Sequence, residues 1–526
     1  VAAGQQQLES FSPATGARLG AVALSTPAGV AAAVEQAGSV QSLWAALRLR
    51  DRAGYMARAA QAVIDEFDEL SDLLGAEQGR PRAEAGVMEL LAAVETLQWL
   101  AEHGPRILAG ERIRFSRTQH PVKRGRSTYE PLGVVGVLGP ATEPFATPLG
   151  DVAVALMAGN GVVLKPSPHV PLCAERIARV FARAGLPEGL LQVVHGHTDA
   201  GAALVRSSVA QVRFTGSTRA GLEVGEACAR GLKRAVLALD GKDAMLVLAD
   251  ADVVRAARGA AWAAFANAGQ CGGSVERALC LGPVHDRFLA TVVAAARALP
   301  VGDPRDPATS IGPLVSRDRA QRVAELVDDA VAAGATLHCG GPADGPWYAP
   351  AVLSGVPADA RLAREEVPGP VLVVDAVTTE EEAIARANEV DPGLGASVWT
   401  ADRYKGARIA RELRVGMVWM NDHLVARSAP QVPWGGIGRA GIGRTRGAIA
   451  LRTCAEPKVV TWDPPIGRPA WWFPYDAHLA RAVRAVAGLR SARDADRERA
   501  LREDTLQLLR VTGRWVRAMR GQRRME

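Results

Sequence analysis

The sequence predicts an α/β protein built on parallel sheets, one of them of the nucleotide-binding type, and three observations lead there. Short β-branched runs alternate with helical segments at the period of βαβ units. Hydrophobic residues make up 48% of the 526 positions and charged residues 22%, which suffices to bury more than one core. No run of about 18 apolar residues occurs, so an ordinary transmembrane helix is not expected.

In chain order, the text from about Pro27 to Leu108 is Ala- and Leu-rich at helical spacing, as in "YMARAAQAVIDEF" and "VMELLAAVETLQWLAEHG". The Gly and Pro of "EQGRP" break two of these helices. The polar, β-leaning "ERIRFSRTQHPVKRGRSTYEPLG" predicts a protruding hairpin. Strands are then expected at 133–139, 161–166, 190–196, 211–217 and 234–241, with helices such as "PLCAERIARVFARAG" between them. A second α/β stretch runs from about Ala244 to Met420. After "PKVVTWDPP" the composition shifts to "GRPAWWFPY" and Arg-rich helical text, which places a boundary near Pro464.

Charge is unevenly placed. Residues 477–526 contain 13 Arg, no Lys and six acidic residues, a net +7 against +6 for the whole chain. The body is therefore nearly neutral, which argues against nucleic acid as a partner. In the tail, Leu479, Val483, Val486 and Leu489 share one helical side, and Leu508, Val511, Trp515 and Met519 share another. Such helices pack on the protein's own surface or a sister subunit, the favoured reading, or make peripheral contact with an anionic membrane. The six cysteines are scattered with no metal-ligand spacing, so no metal is expected. With no basic segment leading into an apolar core at the start, the expected location is cytoplasmic.

A GxGxxG fingerprint is absent, but two features supply equivalent contacts. "FTGST" (214–218) ends a strand and opens a helix, placing Gly216, Ser217 and nearby N–H groups where phosphate is favoured. "LKPS" (164–167) ends another strand with Lys165, a cation suited to ribose hydroxyls or phosphate.

The ordered motifs "EPLGVVGVLGP", "ALMAGNGVVLKPS", "VRFTGST", "NAGQ…SVER", "EEVPGPVLVV", "GMVWMN" and "PWGGIGRAGIGR" resemble the aldehyde dehydrogenase superfamily from roughly residue 8 to 460. The resemblance implies a Rossmann-like NAD(P)-binding domain over 1–112 and 132–240, and an α/β catalytic-type domain over 241–425. It further implies a small β oligomerisation flap from 113–131 and 426–463, forming a homo- or hetero-oligomer. A helical C-terminal extension, 464–526, follows. NAD or NADP is the implied cofactor. Lys165, Ser217 and Gly216 would face its ribose and pyrophosphate, Glu366 the nicotinamide ribose, and backbone about Pro140 the cleft wall. Two departures weaken that set: Pro168 stands for the family's ribose carboxylate, and Pro368 for a Phe near the nicotinamide.

Departures at the catalytic positions go further. The family pattern Asn-x-Gly-Gln-x-Cys, read forward from Gln270 or backward from "SVER", puts the nucleophile at Gly272. The general-base Glu falls on Ala238 of "ALDGK", and the family's spacing from that Glu to the cysteine also leads to Gly272. The oxyanion Asn falls on Thr142 of "PATEP". Thioester catalysis needs a thiolate, a base and oxyanion donors. The expectation is therefore a binding or assembly homologue whose catalysis is lost or greatly weakened, with aldehyde a doubtful substrate. The alternative is an active NAD(P)-dependent oxidoreductase in which Cys271 serves as substitute nucleophile, on long-chain aldehydes among others.

Overall fold

The computed structural model describes residues 6–503 apart from 117–119, 121, 392, 425–428, 464, 466–471 and 474. The chain forms two compact units, one running to Gly110 and from Thr128 to Lys458, the other comprising Glu111–Ser127 and the chain from Val459 onward.

The larger unit holds both predicted α/β stretches. The first sheet uses β1 (Val134–Leu138), β2 (Gly161–Lys165), β3 (Leu191–Val193), β4 (Gln211–Thr215) and β5 (Arg234–Ala238). The second uses β6 (Asp243–Val247), β7 (Val275–Leu281), β8 (Thr336–Pro342), β9 (Tyr348–Ser354), β10 (Val371–Val377), β11 (Gly395–Trp399) and β12 (Met417–Met420). A short β13 (Gly441–Ile442) returns to the first sheet, pairing antiparallel with β5.

The first sheet has the order β13-β5-β4-β1-β2-β3, and β1 to β5 are all parallel. From β1 the chain builds outward to β2 and β3, then crosses to β4 and β5 on the other side. The C-terminal ends of β1 and β4 therefore mark the topological switch point, where parallel sheets of this kind bind ligands. The second sheet is ordered β8-β9-β10-β7-β6-β11-β12, parallel but for the β8–β9 pair. β1, β2 and β6 are buried at every residue, as their continuous apolar runs require of strands covered on both faces.

The helices of the larger unit include α1 (Phe67–Gln78), α2 (Ala146–Ala158), α3 (Thr218–Arg230), α4 (Val253–Phe265) and α5 (Arg317–Ala332). α1 ends at Gly79, whose φ of 86° is the left-handed cap that glycine takes without penalty. Pro81 then starts a new turn, as the sequence predicts, and residues Ala85–Leu91 wind as a π-helix that the periodicity did not announce.

In the smaller unit, the predicted hairpin is present as Glu111–Ile113 paired antiparallel with residues 125–127. The tail contributes α6 (Ala477–Leu489) and α7 (Asp494–Glu503). The predicted apolar stripe on α6 needs correction. Ala482 and Ala485 are the buried residues, whereas Val483 is 61% exposed. A Cβ at Gly488 would lie 2.7 Å from Ala500 Cβ, so α6 meets α7 through small side chains that allow close approach; of the predicted stripe Val483 alone faces out, while Leu479, Val486 and Leu489 are half-buried. The second tail segment, with Leu508, Val511, Trp515 and Met519, lies outside the described residues. Among the described residues no helix is long and apolar enough to cross a membrane.

Candidate active site

The loop at 266–274, between α4 and β7, carries Cys271 and Gly272. Its backbone turns through the left-handed region at Asn267 (φ 55°), Ala268 (φ 50°) and Gly269 (φ 71°). A Cβ at Gly269 would sit 2.1 Å from the Gly369 carbonyl oxygen, so only glycine fits there. Side chains hold this turn. Asn267 Nδ2 donates to Gln270 O (2.6 Å) and to Thr142 O (2.8 Å). Gln270 Nε2 donates to Asn267 O (3.1 Å), and Gln270 Oε1 accepts Val315 N–H (3.0 Å). The Asn-x-Gly-Gln text is thus the scaffold of the loop, tying it to the segment after β1.

That segment, 139–145, carries Pro140 and Thr142. The Thr142 carbonyl accepts from three side chains: Asn267, Gln78 (3.4 Å) and Arg80 (2.8 Å). Arg80 is fully buried and ion-paired with Glu84 (3.3 Å) and Glu89 (3.4 Å). Glu89 in turn accepts the N–H groups of Phe145 (3.3 Å) and Ala146 (2.6 Å) at the start of α2. The Thr142 backbone carbonyl is therefore fully engaged in holding the loop, and its side chain lacks the amide N–H donors of the Asn that the sequence resemblance places there.

Cys271 is buried, and its Sγ–H donates to Glu143 Oε1 at 3.2 Å. Burial pushes the thiol up to about 12; Arg80 opposes the shift, while Glu84, Glu89 and Glu366 add to it. Gly272 is different. It is not among the residues of positive φ, and a Cβ built on it meets nothing within 4 Å. The next residue, Gly273 (φ 90°), lies under Trp434, and its carbonyl accepts from His423 Nε2 at 2.9 Å.

Ala238, the last residue of β5, borders a cavity of about 40 Å³ also lined by Trp99, Thr147, Thr215, Trp434 and Arg446. Burial draws the Arg446 guanidinium down to about 10 despite Asp151 and Glu89 nearby. That volume holds a few waters. No carboxylate stands at Ala238 to serve as base.

On the cofactor side, Lys165 ends β2, 7% exposed, with Nζ donating to Pro166 O at 3.0 Å. Burial lowers its pKa to about 8, against the pull of Asp199. Ser217 caps α3, its Oγ accepting Ala220 N–H at 3.3 Å. Gly216 N–H is used in pairing with Ala238 O at 3.1 Å. Pro140 is buried. Glu366 is positioned by its neighbour: Val367 N–H donates to Glu276 (3.0 Å), which is itself paired with Lys242 (2.5 Å). Burial raises the Glu366 pKa well above the usual carboxylate range, and a side-chain hydrogen bond with Asp240 raises it further.

Lys165, Gly216, Ser217 and Glu366 stand out in the sequence; the structure places Lys165 at the C-terminal end of β2 and Gly216 and Ser217 between β4 and α3, with Glu366 beside Asp240, which accepts from the first residue of α3. Arg80, Glu89 and Glu143, the charged supports of the site, do not stand out in the sequence; Arg80 falls in the EQGRP break and Glu89 within apolar helical text.

A parallel sheet with a switch point, joined in one unit to a second α/β sheet, defines the class of α/β nucleotide-binding proteins. The chain belongs to the aldehyde dehydrogenase family, whose model it matches over residues 1–460. It is 36% identical to a betaine aldehyde dehydrogenase of Cereibacter sphaeroides over 452 residues, covering 85% of this chain and 92% of that protein. A vanillin dehydrogenase of an Amycolatopsis species is also 36% identical, over 456 residues and the same shares. Among solved structures, an aldehyde dehydrogenase from Brucella melitensis biovar abortus superposes with TM-score 0.84 at 31% identity, covering 88% of this chain and 94% of that one. The NAD+ complex of an aldehyde dehydrogenase from Bacillus cereus does so with TM-score 0.83 at 31% identity, covering 87% and 93%. The family reaction is the NAD(P)-dependent oxidation of aldehydes.

Proposed function

We propose that this chain is a non-catalytic member of its family, one that keeps a dinucleotide-type cleft but lacks the thioester step and acts through binding or assembly. The observation that carries this reading is glycine at position 272, where the family's nucleophile falls. The adjacent thiol does not compensate. A thiol with a pKa of about 12 is ionised in about one molecule in 10⁵ at pH 7, and the thiolate is the reacting form. The thiol is also buried and hydrogen-bonded to Glu143, whereas the Cβ position at Gly272 is open.

Dinucleotide fits the switch point through groups that are present: the N-terminus of α3, Lys165 and Glu366, whose Oε2 is buried without a hydrogen-bond partner. In the family this cofactor accepts hydride. The side chains here would bind and orient it, with Lys165 toward ribose and phosphate and Glu366 toward the nicotinamide ribose.

Purified protein assayed with NAD and with NADP over short and long aldehydes is expected to form no reduced cofactor. Iodoacetamide is expected to leave Cys271 unlabelled in the folded protein, read by peptide mass spectrometry. Turnover that disappears in Cys271→Ala would instead establish an active oxidoreductase working through that thiol.

A further inference from the structure

We infer that Asp240 serves as an internal anion at the phosphate end of the dinucleotide cleft, so that this residue sets how weakly the cleft takes dinucleotide. The inference rests on the dinucleotide reading of that cleft.

Three observations converge on Asp240. Its Oδ2 accepts the N–H of Thr218 at 2.7 Å, the first residue of α3. That N–H belongs to the group of unpaired donors that makes a helix N-terminus attract a phosphate. A carboxylate of the chain itself already takes it. Second, Asp240 shares a hydrogen bond with Glu366, which also accepts from Gly241 N–H. The residue proposed for the nicotinamide ribose is therefore engaged with the same carboxylate that holds α3. Third, Glu366 Oε2 is shut away from solvent with no hydrogen-bond partner. The pair thus closes on itself and stays short of donors, which a ribose would supply.

One arginine faces this pair of carboxyls. Among the described residues the cation acting on both carboxylates is Arg319, from the first turn of α5, and burial lowers its pKa in spite of them. Two further N–H groups at the α3 end are also engaged within the chain: Gly216 N–H donates to Ala238 O and Ala220 N–H to Ser217 Oγ. A dinucleotide pyrophosphate approaching α3 must displace the Asp240 carboxylate or remain beside it, and like charges at that distance repel. Asp240 stands one residue beyond Leu239, whose N–H is fixed to Ala440 O at 3.1 Å, so the backbone offers it little room to withdraw.

The test measures binding to the full chain and to Asp240→Asn and Asp240→Gly by isothermal titration calorimetry. The ligands are NAD, NADP, ADP-ribose and adenosine. Asn keeps the size and an acceptor for Thr218 N–H but removes the charge, whereas Gly removes both. Both variants are expected to bind NAD, NADP and ADP-ribose at least tenfold more tightly than the unaltered chain, with adenosine unchanged. A gain in Asp240→Gly alone, or one that extends equally to adenosine, would mean that bulk rather than charge is relieved and would overturn the inference. Equal binding of dinucleotide by all three proteins overturns it too, leaving the dinucleotide reading intact. If none of the proteins binds any of the four ligands, both fall together.

Discussion

Gly272→Cys is expected to fold like the unaltered chain and to present a thiol that reacts with iodoacetamide at least a hundredfold faster than Cys271. Space decides the first half. The Cβ direction at Gly272 is open to 4 Å, and its backbone lies outside the left-handed region that would strain a cysteine. Solvation decides the second half. Cys271 is held up near 12 by burial and by nearby carboxylates, whereas a side chain on the open face escapes most of that burial. The new thiol should also trap aldehyde, but slowly. Losing a nucleophile costs a hydrolase roughly a millionfold, and one oxyanion donor about a hundred- to a thousandfold. Gly272→Cys alone restores only the first of these.

Thr142→Asn and Ala238→Glu added to Gly272→Cys are expected to give aldehyde-dependent formation of reduced cofactor where the single variant gives little. At Ala238 the incoming carboxylate enters the small cavity that Arg446 lines, and that cation would hold it ionised. The measurement is the rate of cofactor reduction in the three-site variant beside the unaltered chain. If the thiol at 272 is labelled no faster than Cys271, the loop does not present that side chain to the cleft, and position 272 is not where the nucleophile would stand.

The parts of this site that were legible in the sequence share a local signal. The strands of the first sheet stood out as short runs with β-branched residues, two of them buried at every position, and the turn before α3 because Gly-Ser sits between a strand and a helix. The register leading to Gly272 was legible because its flanking Asn, Gly and Gln are scaffold residues with fixed spacing. The buried charges were not. Arg80 meets Thr142, and Cys271 meets Glu143, across 62 and 128 positions of sequence. Nothing local distinguishes a Glu that pairs inside the core from one that faces water. The stripe on α6 was misplaced for a related reason: periodicity marks which side is apolar, but the neighbour's Ala500 decides which side is approached closely.

Arg80→Ala is expected to lower stability by about 3–5 kcal/mol, the usual consequence of removing one partner from a buried ion pair. Arg80 is 1% exposed, and its guanidinium ties together three separate pieces of chain. It pairs with Glu84 and Glu89, and donates from Nη2 to Thr142 O and from Nε to Gln78 Oε1 (3.0 Å). Its loss leaves two carboxylates among buried apolar side chains, one of them Glu89, which caps the first turn of α2. Glu84 already has a pKa raised by burial and held back by Arg80, so without the cation it would take up a proton. Arg80→Lys is expected to fall between, since an ammonium keeps the charge but cannot span both carboxylates and the Thr142 carbonyl with one planar fork. Urea unfolding followed by tryptophan fluorescence reads these differences as shifts in midpoint. The exposed Arg305–Asp303 pair is the control, and Arg305→Ala is expected to leave the midpoint unchanged. An Arg80→Ala protein that unfolds at the same urea concentration as the unaltered chain would mean that the cluster is already neutral or solvated. In that case Arg80 could not be what fixes the Thr142 carbonyl toward the catalytic loop.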